Sequence, residues 1–209
     1  MLQLLLATGN PGKVIEYRSL LQGISFQLVT PAEVGITTEV QETGSSLEEN
    51  ARLKAVTLSG LSHLITLADD SGLEVDALGG APGHLSARYA GEHATDEERV
   101  SYLLSRLGDV PWEKRTACFR CVIAIATPDG SVTFCSGKCP GVIAFAPKGE
   151  KGFGYDPLFY FPELDRTMAE LPMTAKNRIS HRGRAARAAR EVLIGLASRD
   201  NHETAPAAG

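Results

Sequence analysis

The sequence predicts a mixed α/β protein. Short apolar runs that read as buried strands alternate with helical segments in the first half of the chain. A strand–turn–strand unit without an intervening helix follows at residues 116–136. Alternation of the first kind builds parallel strand pairs and a tight hairpin builds an antiparallel one, so the sheet is expected to contain both. The chain of 209 residues, 43% hydrophobic and 22% charged, is long enough for a buried core and has a globular balance.

Leu2 to Ala7 is a continuous apolar run and predicts a buried strand, ended by turn residues at Thr8 to Gly12. Helical spacing of Val14, Tyr17, Leu20 and Leu21 predicts a helix from Lys13 to Leu21, stopped by Gly23. Ser25 to Val29 reads as a second strand. A loop spans 31–44, and Ser46-x-x-Glu49 opens a helix to about Leu58 with a capping-box pattern. Leu64 to Ala68 is a buried strand running into Asp69-Asp70-Ser71-Gly72, and Leu73 to Leu78 looks extended again. Gly79 to Gly83 is expected to be loop.

Thr95-x-x-Glu98 caps a helix to about Leu107. Strands at 116–126 and 131–136 flank the turn Thr127-Pro128-Asp129-Gly130. Gly152 to Asp156 reads as an aromatic loop, and Leu158 to Phe161 as core aromatics. The last helix runs from about Ala185 to Ala197. One domain over 1–199 is expected, with a frayed tail over 200–209.

Composition narrows the function classes. A net charge of −4 gives no general attraction to a nucleic acid polymer or an anionic membrane, so a polyanionic substrate would need a local cluster of cations. No signal peptide or membrane-length apolar run is visible, which makes the cytoplasm the expected location. Cys118-x-x-Cys121 and Cys135-x-x-x-Cys139 superficially have zinc-ribbon spacing. Residues three apart on a strand point to opposite faces, however, so buried or half-buried free thiols are expected.

Four features carry chemistry. Thr8-Gly9-Asn10-Pro11-Gly12-Lys13 lies between a strand and a helix, where unpaired backbone N–H groups and the helix dipole favour an anion. It is neither a Walker A loop nor a dinucleotide fingerprint, because the glycine spacing of each is absent. Its other reading is an ordinary turn with a solvated lysine. Asp69 and Asp70 are paired oxygen ligands suited to Mg²⁺, with Glu42 a third acid; the same aspartates can instead cap a polar turn. Ser180-His181-Arg182-Gly183 offers a forked cation and an imidazole before the last helix. Arg184, Arg187 and Arg190 read as a solvated helix face. Phe153-Gly154-Tyr155-Asp156 offers aromatics that either stack a nucleobase or fill the core.

These residues occur in order with Glu42-Thr43-Gly44, Glu49-Asn50-Ala51, Gly79-Gly80-Ala81-Pro82-Gly83 and Ser86-Ala87-Arg88-Tyr89. The set resembles the inosine triphosphate pyrophosphatase family from about Leu2 to Ala197. The resemblance implies an elongated mixed sheet with flanking helices forming two lobes around an active-site cleft, and a homodimer. It implies Mg²⁺-dependent hydrolysis of ITP, dITP and XTP to monophosphate and pyrophosphate, keeping deaminated purines out of DNA and RNA. Thr8, Gly9, Asn10, Pro11, Gly12 and Lys13 then hold the triphosphate, and Asp70 is the general base for water attack at the α-phosphorus. Lys13 stabilises the leaving group, and Ser71 contacts substrate. Phe153, Gly154, Tyr155 and Asp156 hold base and sugar, with Lys176, His181 and Arg182 completing the pocket. Glu42, Asp69 and Asp70 are the expected metal-binding acids. One departure is that Leu171 to Ala175, before Lys176, lacks the acids usual in the family. Outside that family, a pyrophosphatase for pyrimidine or modified nucleotides, or a nucleotide-binding regulatory module, would use a similar cleft.

Overall fold

The computed structural model describes residues 2–203. The first apolar run forms β1 (Leu2–Leu6), whose Leu4, Leu5 and Leu6 are all buried because both faces of the strand are covered. It lies parallel between β2 (Phe26–Val29) and β3 (Ile65–Val75). Beyond β3 the sheet turns antiparallel. A short β4 (Pro82–Gly83) pairs with β3 off the main path, and β5 (Thr116–Ala126) pairs with it from Thr66↔Ala126 to Val75↔Ala117. β6 (Val132–Ile143) follows by the expected hairpin, then β7 (Phe159–Phe161) and β8 (Arg166–Thr167). The order β2-β1-β3-β5-β6-β7-β8 is the mixed sheet that the alternation and the hairpin predict.

Five α-helices among the described residues cover it. α1 (Pro11–Leu20) starts at an Asn10 cap with proline in its first turn, α2 (Leu47–Ser62) at Ser46, and α3 (Asp96–Leu107) at a complete Thr95–Glu98 capping box. α4 (Met173–Ile179) and α5 (His181–Glu203) close the chain. α1 and α5 cover one face of the parallel end, over Leu4, Leu67, Cys121 and Ile123. α2 covers the other face, over Leu5, Ala68, Val122 and Ala124. A third core, at the antiparallel end, joins α3 to Leu73, Phe119 and Phe159. β3 and β5 run through both lobes and carry the cleft residues at mid-length. Among the described residues no helix is long and apolar enough to cross a membrane.

Several elements differ from expectation. Asp69-Asp70-Ser71-Gly72 does not follow the end of a strand: it lies inside β3, held extended by the long β5 ladder. The extension ends at Val75, and Asp76–Leu78 is a 3₁₀ turn. Pro82-Gly83 is strand rather than loop, and a Cβ at Gly72 would come within 2.1 Å of the Gly83 carbonyl oxygen, so glycine permits that pairing. β6 continues past Ser136 to Ile143. Pro140 interrupts no second ladder, because β7 reaches only Val142 and Ile143. β7, β8 and α4 are additional. α5 begins at His181 rather than Ala185 and runs through 200–203 of the expected tail; 204–209 lie outside the described residues. Its Ala185, Ala186 and Ala189 are buried, whereas Arg184 and Arg187 are exposed. Cys121, Cys135 and Cys139 are buried free thiols and Cys118 is a half-buried one.

Candidate active site

A cleft of about 700 Å³ opens where the two lobes meet. One wall is the loop between β1 and α1. The Asn10 side chain accepts the Lys13 backbone N–H at 3.1 Å, and the Asn10 N–H donates to Thr8 Oγ1 at 3.2 Å, so the loop is fixed by its own polar side chains. Thr8, Gly9, Asn10 and Lys13 line the cleft. Pro11 and Gly12 are set back: Pro11 starts α1, and Gly12 lies against Phe153, where a Cβ would come within 2.6 Å of the ring.

Adjacent residues of a strand project to opposite faces, and β3 uses this to separate its two aspartates. Asp69 points toward α1 and α5. Lys13 Nζ lies 3.0 Å from its Oδ1, a close charge without the angle of a hydrogen bond, and Arg182 Nε donates to its Oδ2 at 3.2 Å. Arg182 also donates to Glu16 at 2.7 Å and to Ser71 Oγ at 2.9 Å, while Lys176 joins Glu16 at 2.6 Å to Asp156. Three cations, Lys13, Lys176 and Arg182, thus interleave with three carboxylates, Glu16, Asp69 and Asp156. Burial alone would raise the Asp69 pKa. The charges of Lys13, Arg182 and Lys54 overcome that and hold it far below the ordinary carboxylate range.

Asp70 points the other way, toward α2. Asn50 donates to its Oδ2 at 3.2 Å and its own Ser71 N–H to Oδ1 at 3.1 Å. Lys54 Nζ is 3.6 Å from Asp70 Oδ1, 2.5 Å from Glu42 Oε1 and 2.7 Å from the Asp69 carbonyl oxygen. Burial raises the Asp70 pKa, and the nearby Glu42 charge adds to it; Lys54 and Lys13 offset only part. Lys54, by contrast, sits among Asp70, Glu42 and Asp69, whose summed charge outweighs its own burial and raises its pKa. The asymmetry follows from one cation shared among several acids.

Glu42 and Asp70 are hard oxygen donors facing the cleft, and two carboxylates with water and phosphate oxygens are a usual Mg²⁺ set. These two residues fit the ion. Asp69 does not join them: its carboxylate is turned to the opposite face and paired, and no group of three potential metal-binding side chains occurs among the described residues.

The far end of the cleft is the loop between β6 and β7. Phe153 lies beneath Lys176 Nζ, 4.9 Å from the ring centre, and Arg182 Cζ, 5.4 Å from it. Asp156 ties the loop by accepting the Phe153 N–H at 3.0 Å. Tyr155 is buried and donates its hydroxyl to the Ser86 carbonyl at 3.0 Å, so it acts as a core tie more than a free stacking platform. His181 stacks on Phe119, with centroids 4.6 Å apart and planes 12° from parallel. Its burial, then the charges of Arg182 and Lys176, push its pKa well below the ordinary value and leave it neutral at pH 7.

The structure therefore brings together Lys13, Ser71, Asp156, Lys176, His181 and Arg182 around one network. Arg182 is committed to Asp69, Glu16 and Ser71 rather than held free in a fork. The lack of acids before Lys176 has no consequence for its placement, because Glu16 and Asp156 set its ammonium. Gly183 has a packing reason: a Cβ there would meet the Asn177 carbonyl oxygen at 1.8 Å, where α4 and α5 touch. Two site residues escape sequence reasoning. Glu16 is three residues after Lys13 on α1, and Lys54 is four after Asn50 on α2. Each shares a helix face with a motif residue, the only signal that points to it.

Residues 4–192 match the model of the Ham1 family. The chain is 52% identical over 192 residues to a dITP/XTP pyrophosphatase of Desulforamulus reducens, covering 92% of this chain and 96% of that one. It is 44% identical over 193 residues to a dITP/XTP pyrophosphatase of Bacillus subtilis, covering 92% and 98%. Among solved structures, a HAM1 protein from Coxiella burnetii superposes with a TM-score of 0.85 at 42% identity, covering 93% of this chain and all of that one. The Ham1 protein of Staphylococcus aureus gives 0.82 at 41%, covering 93% and 99%.

Proposed function

This chain belongs to the Ham1 family and is a nucleoside triphosphate pyrophosphohydrolase, and from that premise we propose that it cleaves dITP, XTP and ITP to the monophosphate and pyrophosphate. It does so with Mg²⁺, as a homodimer in the cytoplasm, and so keeps deaminated purines out of DNA and RNA. The observation that carries the reading is Asp70, a cleft-facing carboxylate 3.6 Å from Lys54, set beside a capped glycine loop whose Lys13 pairs with the neighbouring Asp69.

In this mechanism Asp70 takes the proton of a water attacking the α-phosphorus. Burial and the Glu42 charge raise its pKa, which makes it a stronger base than an ordinary aspartate. Asn50 holds one carboxylate oxygen and the Ser71 N–H the other, which fixes the direction of proton transfer. Thr8 to Lys13 orient the triphosphate, and Lys13 stabilises charge on departing pyrophosphate. Lys54 holds Glu42 and Asp70 in one frame. Mg²⁺, held by Glu42 and Asp70, would offset negative charge on phosphate oxygens.

Base selection belongs to the other end. Hypoxanthine and xanthine carry an oxygen at position six where adenine carries an amino donor. A pocket that donates there leaves its donors unpaired against adenine, a large penalty. Lys176 and Arg182, each already paired with carboxylates, hold positive charge over Phe153 at that end.

The test is a Mg²⁺-dependent panel of ITP, XTP, GTP and ATP at equal concentration, with pyrophosphate and phosphate measured separately. Pyrophosphate from ITP and XTP is expected, with GTP and ATP far behind. Equal rates for all four would remove purine selection from the proposal. Binding of ITP without pyrophosphate release would turn the protein into a binding module.

A further inference from the structure

Two carboxylates anchor the loop carrying Phe153 and Asp156, and only one belongs to the buried ion network. The inner anchor is Asp156, which accepts the Phe153 N–H and pairs with Lys176. The outer anchor comes from another element: Asp96, the first residue of α3, accepts the Gly154 N–H on Oδ2 at 2.7 Å. Its other oxygen pairs with Arg99, one turn along the same helix, and Arg99 Nη1 donates to the Ala87 carbonyl at 2.6 Å. Ser86 and Arg88 flank that carbonyl. The Ser86 carbonyl accepts the Tyr155 hydroxyl at 3.0 Å, and Arg88 donates to the Glu42 carbonyl at 3.1 Å.

Residues 86–88 are therefore tied to the loop at 152–156 directly and through α3, and to the acid on the opposite wall. Asp96 and Arg99 both line the cleft. Gly154 adopts φ +63, a left-handed conformation that glycine takes without strain, so the N–H it turns toward Asp96 is presented at no backbone cost. Burial works against the Asp96 charge, yet the hydrogen bonds from Arg99 and the Gly154 N–H lower its pKa and keep the acceptor ionised.

We propose that Asp96 is a positioning residue for substrate binding: with Arg99 it clamps the Phe153–Asp156 loop against residues 86–88 and sets the width of the base end of the cleft. This rests on the nucleotide reading above. Asp96 touches neither phosphate loop nor Asp70, so its effect belongs in KM and not in the proton transfer.

The experiment compares Asp96→Ala, Asp96→Asn and Glu97→Ala in the full chain, by steady-state kinetics with ITP and by amide hydrogen exchange at Gly154. Glu97 is an exposed acid in the same helical turn, without a loop contact, and controls for lost charge at the α3 N-terminus. Asp96→Ala is expected to raise KM about tenfold, the scale of one charge-assisted hydrogen bond, with kcat within about twofold. Gly154 should lose exchange protection. Asp96→Asn keeps an acceptor and should stay within about threefold of the parent on KM, and Glu97→Ala should match the parent. An unchanged KM in Asp96→Ala, an equal rise in Glu97→Ala, or a matching fall in kcat overturns the proposal. If the parent releases no pyrophosphate from any nucleotide, the functional reading fails; Gly154 exchange still decides separately whether the clamp exists.

Discussion

Asp69 and Asp70 are the same residue type one position apart on β3, yet their surroundings push their proton affinities in opposite directions. Both are buried, so burial does not separate them. The difference lies in the cations. Asp69 has Lys13 at 3.0 Å and Arg182 at 3.2 Å, within a network whose charges alternate. Asp70 has Lys54 at 3.6 Å, and that lysine leans to Glu42 at 2.5 Å. The pleat delivers one carboxylate to a closed, charge-balanced face and the other to an open face short of positive charge. A single strand thereby makes one acid a fixed part of the scaffold and leaves the other free for the proton-accepting role proposed for it.

The largest expected effect comes from removing the acceptor. Asp70→Asn keeps the shape and the Asn50 neighbourhood but cannot take a proton. Pyrophosphate release should fall by about 10²–10⁴, the range for a general base. Its stability at pH 7 should be unchanged or higher, since a carboxylate with a raised pKa costs the folded state energy when ionised. Turnover within a few-fold of the parent would erase the functional difference between the two faces.

Asp69→Asn should act mainly on stability. It leaves Lys13 and Arg182 facing an amide, and breaking a buried pair from one side costs about 3–5 kcal/mol. Urea unfolding at pH 7 measures this, and a loss below about 1 kcal/mol would mean that solvent screens the network. The pH dependence separates the faces further. The folded pKa of Asp69 is depressed, so its contribution is present above the unfolded value of about 4 and is lost only as pH falls through the folded one. The folded pKa of Asp70 is raised, so its ionisation opposes folding at neutral pH, and acidification through that pKa relieves the cost. Any stability gain in Asp70→Asn should therefore shrink as pH falls through the folded pKa of Asp70, while the loss in Asp69→Asn persists.

This separation shows what the sequence could and could not carry. β1, the three capped helices and the hairpin are written in short-range signals: an apolar run, Asn10, Ser46, Thr95-x-x-Glu98 and Thr127-Pro128-Asp129-Gly130. The path of β3 is not, because its extension through Asp69 and Asp70 depends on β5, about fifty residues later. The strand at 116–126 is itself legible, but its pairing with 66–75 is not; with that pairing unread, two adjacent acids look like a joint metal site, and once it is seen, alternation divides them. Lys54 and Glu16 stay hidden because a charged residue on a helix has the pattern of a solvated face. Only the fold turns these two inward. Arg182 was legible as a site residue, but its partners Asp69 and Glu16 come from two other elements.

The smallest expected effect tests whether the Asp69 face is closed. His181 lies against that network, buried, with Arg182 and Lys176 close and Asp69 the main opposing charge. Burial and the two cations outweigh Asp69 and push the imidazole pKa well down. Its ring resonances should stay those of neutral histidine as pH passes through about 6.5, where exposed histidines titrate. The linkage has the same sign as for Asp69. A depressed folded pKa gives stability that is present above about pH 6.5 and lost as pH falls through the folded value. His181→Gln should flatten that part of the stability profile at little cost to the Asp70 side. A His181 that titrates near 6.5 would place water or an excess negative charge beside Asp69, and the contrast between the two faces of β3 would then rest on Lys13 and Arg182 alone.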